Sequence, residues 1–200
     1  MSYKIEEKGT GHPSDESLMQ AAQDGDGRAF ETLVRRYDKR LYNYIRRIVR
    51  DPVESEDLFQ ETFLRVHRHL HRFDTGASFR PWVYRIATNL CRDFLRARSR
   101  RPHVSIDATS STGGAALGDR LEAGTAGPRA VAGEHELTER LDKAVAMLPV
   151  KQRAVFLMAR YDQMSYDAIA KTLHIPVGTV KSRMNKAVHT LLAEIRETAT

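Results

Sequence analysis

Between Phe30 and Ile48 the apolar residues Phe30, Leu33, Val34, Tyr37, Leu41, Tyr44, Ile45 and Ile48 recur at steps of three and four. Only an α-helix with one buried stripe satisfies that spacing, because a strand would put alternate members of the set in water. Pro52 is expected to end this helix. The same period recurs on both sides of it. Leu18, Met19 and Ala22 mark a short helix over Asp15–Gly27, closed by the Gly25-Asp26-Gly27 turn. Leu58, Phe59, Thr62, Phe63, Val66 and Leu70 mark a third helix. Phe79, Trp82, Val83, Ile86 and Leu90 mark a fourth, after the Asp74-Thr75-Gly76 turn. Nothing alternates with a strand period, so the fold class is all-α.

The chain divides by composition. Residues 1–14 read as a polar, mobile N-terminal extension, and residues 15–101 form the first helical domain. From Pro102 to Glu134 the apolar period is lost and Gly, Ala, Ser, Thr and Pro dominate. Acidic Asp107, Asp119, Glu122 and Glu134 there outnumber basic Arg120 and Arg129, as expected of a flexible tether. Residues 135–200 resume a helical pattern. Leu137, Leu141, Val145 and Leu148 form one stripe, stopped by Pro149, and Ala154, Val155, Leu157, Met158 and Tyr161 form the next. Two further helices, Ser165–Leu173 and Val177–Arg196, complete a second small domain.

A formal net charge of +6 on 200 residues favours a polyanionic partner, though placement matters more than the total. Cys91 is the sole cysteine, so neither an internal disulfide nor a thiolate-rich zinc site can form. With no apolar run long enough to span a bilayer and no signal-peptide core, a cytoplasmic setting is expected.

The most specific local pattern is Tyr166 to Met184, which reads as a helix-turn-helix. Ser165 can cap the first helix, Asp167 favours its positive end, and Pro176 suits the start of the second. Ala170 is small where two helices must approach, and Ile169, Leu173, Ile175 and Val180 can form the seam. On the second helix Val177, Val180, Met184, Val188, Leu191 and Ile195 share one side. Ser182, Asn185, Lys186 and His189 face the other way, flanked by Lys181 and Arg183. Amide, hydroxyl and cationic groups near a helix N-terminus can reach base edges and phosphates in the major groove.

Arg85, Asn89, Arg92 and Arg96 share a face of the fourth helix, with Trp82 at its border with the apolar stripe. Arginines grip phosphates, an amide can read an unpaired base and an indole can stack on one. Taken alone, this face reads equally well as soluble surface. Along Asp57 to Leu64, acidic and amide groups interleave with large apolar ones, as a protein-docking helix requires. Asp57 and Glu61 are four apart, yet no third ligand accompanies them, so a metal or acid–base centre is not expected. The same holds for His67, His69 and His71, which read as solvated surface. No catalytic residue, metal or cofactor is expected. An ordinary helix-turn-helix repressor would need neither the fourth helix's basic face nor the docking helix. A DNA-cleaving enzyme would need a nucleophile or metal cage that the sequence does not assemble.

Three stretches, in this order and spacing, resemble the extracytoplasmic-function group of sigma factors. Asp57 to Val66 resembles the helix that docks on the coiled coil of the polymerase's largest subunit, implying roles for Asp57, Leu58, Gln60, Glu61, Phe63 and Leu64. Phe79 to Asp93 resembles the promoter-melting segment. The resemblance implies that Asn89 and the loop Asp74 to Ser78 hold a flipped minus-ten base. It further implies that Arg85, Arg92 and Arg96 hold the backbone, with Trp82 and Tyr84 in the same site. Pro176 to Arg183 resembles the start of the minus-thirty-five recognition helix, implying contacts from Thr179, Lys181, Ser182, Arg183, Asn185 and Lys186. Relatives often carry arginine at position 186, and lysine cannot make the same bidentate contact. The family further implies core RNA polymerase (coiled coil and flap), promoter DNA and an anti-sigma protein as partners, and no membrane contact by this chain.

Overall fold

The computed structural model of the chain describes residues 12–100 and 140–197, and among these every regular element is a helix. Helix α1 spans Asp15–Gln23 and is started by Ser14, whose Oγ accepts from the Ser17 amide at 3.1 Å. That bond satisfies one of the amides a helix start leaves open, and Asp15 and Glu16 meet the positive end of its dipole. Asp15 also accepts from Arg36 and Tyr37 on the next helix, so the first turn is tied down by charge as well. After Gly25, at a φ of +98° that an L side chain rarely adopts, Asp26 caps helix α2, Gly27–Val49.

The α2 stripe is buried as its period requires. Leu33, Tyr37, Leu41, Tyr44, Ile45 and Ile48 are enclosed, and Phe30 and Val34 flank them half-buried. Each fully buried aliphatic side chain here contributes on the order of 1.5–3 kcal/mol. Pro52 does not end this helix. Arg50 does, by entering the left-handed region at φ 66°, and Pro52 instead opens helix α3, Pro52–Arg68. Proline is suited there because its missing N–H would have no partner in a first turn. Thr62, Phe63 and Val66 of α3 are buried, whereas Leu70 packs from a separate 3-10 turn, Leu70–Arg72. Gln23 donates to the Leu70 and Phe73 carbonyls at 2.8 Å each, fastening α1 to the approach to the next helix.

Helix α4, Phe79–Arg100, buries Phe79, Val83 and Leu90 as expected, with Trp82 and Ile86 half-buried at the edge. It also buries Tyr84, Ala87 and Cys91, a second face outside the anticipated stripe. The reason is a second neighbour, since α4 packs on α3 on one side and on helix α7 of the C-terminal unit on another.

In that unit helix α5 covers residues 140–147 and sets Ala144 and Val145 inward, with Leu148 buried just beyond it. Leu137 lies outside the described residues. Helix α6, Val150–Arg160, buries Ala154 to Met158 without interruption, because α2, α7 and α8 all pack against it. Tyr161 is not part of this core. It is 36% exposed, and its ring lies beneath the Arg47 guanidinium, 3.9 Å from centroid to Cζ. Helices α7, Tyr166–Leu173, and α8, Val177–Glu197, form the helix-turn-helix. Ser165 caps α7 through a 3.1 Å bond from the Ala168 amide, and His174 makes the turn at φ 50°. Ile169, Ala170 and Val180 are buried at the seam. On α8 the inward side shifts by one residue from that expected: Ala187 is fully buried and Val188 is 38% exposed.

The two units touch along two seams. At one, the Tyr84 hydroxyl donates to Asp162 Oδ1 and the Arg80 guanidinium to the Asp162 carbonyl, while Arg85 meets the His174 ring. At the other, buried Arg153 donates to the Ile48 carbonyl at 2.8 Å and to its own unit's Leu148 carbonyl at 2.9 Å.

Candidate nucleic-acid and protein-docking surfaces

Three surfaces collect the residues singled out in the sequence. On α3, Asp57 and Gln60 are exposed, Leu58 and Glu61 are half-buried, and Leu64 is 51% exposed. Val53, at 72%, extends the apolar part of this face. Arg65 Nε donates to Glu61 Oε1 at 2.8 Å, and this bond holds the Glu61 carboxyl below its usual range. The face therefore offers fixed negative charge beside exposed aliphatic surface. Phe63 is turned the other way. It is 7% exposed and sits edge-on to Phe30 and Phe59, at 6.4 and 5.2 Å between centroids, so its side chain supports the helix from within.

The second surface is α4 with the loop before it. Asp74 turns back on its own loop, accepting from the Gly76 amide at 2.9 Å, and Asp74 and Ser78 are exposed. Trp82 is half-buried against Phe73 and Phe79, with centroids 4.9 and 6.0 Å away, leaving one part of the indole open. Asn89 lies ten residues into the helix, roughly 15 Å along its axis from the loop at 1.5 Å per residue. Loop and amide therefore mark out a track along α4 in place of one compact pocket, with Arg92 and Arg96 exposed further on. Arg92 meets only Asp93, at 3.7 Å, so its charge remains available. Tyr84 and Arg85 are placed differently: Tyr84 is fully buried on Asp162, and Arg85 contacts His174.

The third surface is α8. Lys181, Ser182, Asn185 and Lys186 are exposed, and Thr179 and Arg183 are half-buried. The structure brings Thr179, Ser182, Arg183 and Lys186 together on one wall of a cleft of ≈ 640 Å³. Lys181 and Asn185 face away from it. The opposite wall is the start of α6, where Lys151 adds a cation and Gln152 Oε1 is buried without a partner among the described residues. Lys151 was not apparent from the sequence. It follows Pro149-Val150 in an unremarkable helix start, and only the fold sets it opposite α8.

Asp162, Arg153 and His174 were also missed, and all three lie between the units. Burial pushes the Asp162 carboxyl up to about 6, even though the Tyr84 hydrogen bond and the charges of Arg80, Arg40 and Arg47 oppose that rise. Burial first, then the neighbouring Asp162 charge, pushes the Tyr84 hydroxyl far above its usual range. Among the described residues no cluster of His, Cys, Asp or Glu could hold a metal ion, and no helix is long and apolar enough to cross a membrane.

Comparison with known proteins agrees with this geometry. The sigma-70 region 2 family model matches residues 33–101, and the sigma-70 region 4 model matches residues 138–191. The chain is 34% identical to the RNA polymerase sigma-H factor of Pseudomonas aeruginosa, covering 86% of this chain and 89% of that one. It is 33% identical to the extracytoplasmic-function sigma factor SigW of Bacillus subtilis, covering 86% and 92%. Among solved structures, CnrH in complex with the cytosolic domain of CnrY superposes with a TM-score of 0.68 at 25% identity, over 92% of this chain and 99% of that one. RpoE from Bartonella quintana, solved with the anti-sigma factor NepR, shares the fold with a TM-score of 0.61 at 20% identity, over 84% and 96%. With both domain models matched and relatives aligned over nearly their whole length, the chain belongs to the sigma-70 family, as an extracytoplasmic-function RNA polymerase sigma factor.

Proposed function

We propose a division of labour between the two units of this alternative sigma factor. The N-terminal unit docks on the coiled coil of the polymerase's largest subunit through the exposed α3 face of Val53, Asp57, Gln60, Glu61 and Leu64. Its α4 track receives the melted minus-ten strand: Asn89 and the Asp74 to Ser78 loop hold an unpaired base, Trp82 stacks, and Arg85, Arg92 and Arg96 hold phosphates. The C-terminal unit reads the minus-thirty-five duplex from α8, with Ser182, Asn185 and Lys186 toward base edges and Lys181, Arg183 and Lys151 toward phosphates. It also reaches the polymerase flap. The chain makes or breaks no bond itself. It works in the cytoplasm, and an anti-sigma protein that covers its polymerase-binding faces holds it inactive.

The observation that carries this reading is the sorting of α8. Its inner side is packed at Val180, Ala187 and Leu191, while Ser182, Asn185 and Lys186 stand in solvent beside the Lys151 cleft. Transcription in vitro with purified core polymerase tests it. Asn89→Ala is expected to lower open-complex formation about tenfold or more while leaving polymerase affinity unchanged. A loss of polymerase affinity instead would remove Asn89 from the strand track.

A further inference from the structure

The contact between α4 and the helix-turn-helix unit bears on how promoter binding can begin. Resting on the two-element reading above, we propose that the free chain is a closed latch. In it the C-terminal unit covers the melted-strand track of α4 but leaves its own duplex-reading face open, and polymerase docking separates the two.

The occlusion is asymmetric. Tyr84 has no exposed surface, and Arg85, the arginine nearest the loop end of the track, is spent on His174 in the turn between α7 and α8. On α8, by contrast, Lys181, Ser182, Asn185 and Lys186 all remain in solvent. A closed chain can therefore meet duplex DNA, whereas a displaced strand meets only the far half of its track, at Arg92 and Arg96.

The closed form also cannot span the two promoter elements. Their names place them about 25 base pairs apart, or roughly 85 Å of duplex at ~3.4 Å per step. Helix α4 is only about 33 Å long at 1.5 Å per residue, and it lies directly against α7. The residues between Arg100 and Arg140 have an extended reach of roughly 130 Å, more than sufficient once the units part.

The seams are built to separate. They hold a carboxylate, a phenol, guanidinium groups and main-chain carbonyls in place of a continuous apolar core. Arg47 spans the second seam twice, over the Tyr161 ring and toward Asp142 at 3.8 Å. Polar groups recover water hydrogen bonds on opening, so such an interface is weaker for its area than an apolar one. Affinity for strand is then reduced in proportion to the fraction of chains that are open.

The test uses the full chain with cysteines introduced at exposed Asp38 and Ala193 for a donor–acceptor dye pair. Cys91 stays unlabelled because it is buried and its thiol is pushed up to about 12. The wild-type chain is expected to show high energy transfer, falling when core polymerase is added. Asp162→Ala and Arg47→Ala loosen different seams, and Arg47 sits on the surface of a folded helix, where its removal leaves the core intact. Either is expected to lower transfer without polymerase and to tighten binding of a labelled single-stranded minus-ten oligonucleotide by roughly tenfold. Binding of minus-thirty-five duplex should change less than twofold. Low transfer in the wild-type chain, or variants that leave both transfer and strand affinity unchanged, would overturn the latch. Run-off transcription with the same wild-type protein judges the sigma-factor reading separately, since it depends on the polymerase-bound state alone.

Discussion

At Lys151 a single ammonium decides whether the C-terminal unit grips one side of a phosphate backbone or both. It stands across the cleft from Arg183 and Lys186, so a duplex lying on α8 brings a phosphate between them. Each phosphate neutralised releases counterions and steepens the dependence of affinity on salt by about one unit per contact. Lys151→Ala is accordingly expected to weaken minus-thirty-five duplex binding about equally for every sequence and to reduce the salt slope by about one. Titration at several salt concentrations checks this. Lys186→Ala, on the base-facing side, is expected to relax sequence preference as well. A specificity change for Lys151→Ala would mean that it reads bases, and an unchanged slope that it touches no DNA.

At the scale of the helix, α3 separates two roles that its sequence interleaves. Leu64 stands half in water and Phe63, its neighbour, is packed among aromatic rings. Leu64→Ala is expected to lower core polymerase affinity severalfold with the denaturant midpoint unchanged. Phe63→Ala is expected to cost about 3–5 kcal/mol of folding stability, in the range for a buried aromatic. Urea unfolding and a polymerase pull-down on both variants separate the two outcomes. Those paired fates also show how far a sequence can be read. The stripes of α2 and α8 were legible because one face of each helix meets its near neighbours, and the 3.6-residue period records that directly. Burial of Tyr84, Ala87 and Cys91 was not legible, since a unit some eighty residues away covers them and a local period records nothing of it. Arg153 and the unbroken buried run of α6 escaped for the same reason. The α8 residues of the candidate site were found from their side of the helix. Lys151 and Asp162 were not, because their partners are supplied by tertiary contact alone.

For the whole molecule, the equilibrium between closed and open forms is linked to one proton. Asp162 has a carboxyl raised to about 6 when closed, chiefly by burial, with Tyr84, Arg80, Arg40 and Arg47 facing it and opposing the shift. Once the units part it returns to water and an ordinary carboxylate value near 3.9. A group raised in the closed form favours closure fully below its open value and loses that contribution as pH climbs through the closed one. Energy transfer between the labelled units is thus expected to fall between pH 5 and 7, and the Asp162→Asn chain to show no such step. A step of the opposite sign, or one that survives in Asp162→Asn, would assign the titration to another group.

Trp82 gives the strand track an optical property of its own. It is the only tryptophan of the chain, wedged against Phe73 with part of its indole uncovered beside the arginines of α4. A nucleobase settling on that ring would quench its emission, so the native protein carries an unlabelled fluorophore that can time the arrival of DNA in a stopped-flow cell.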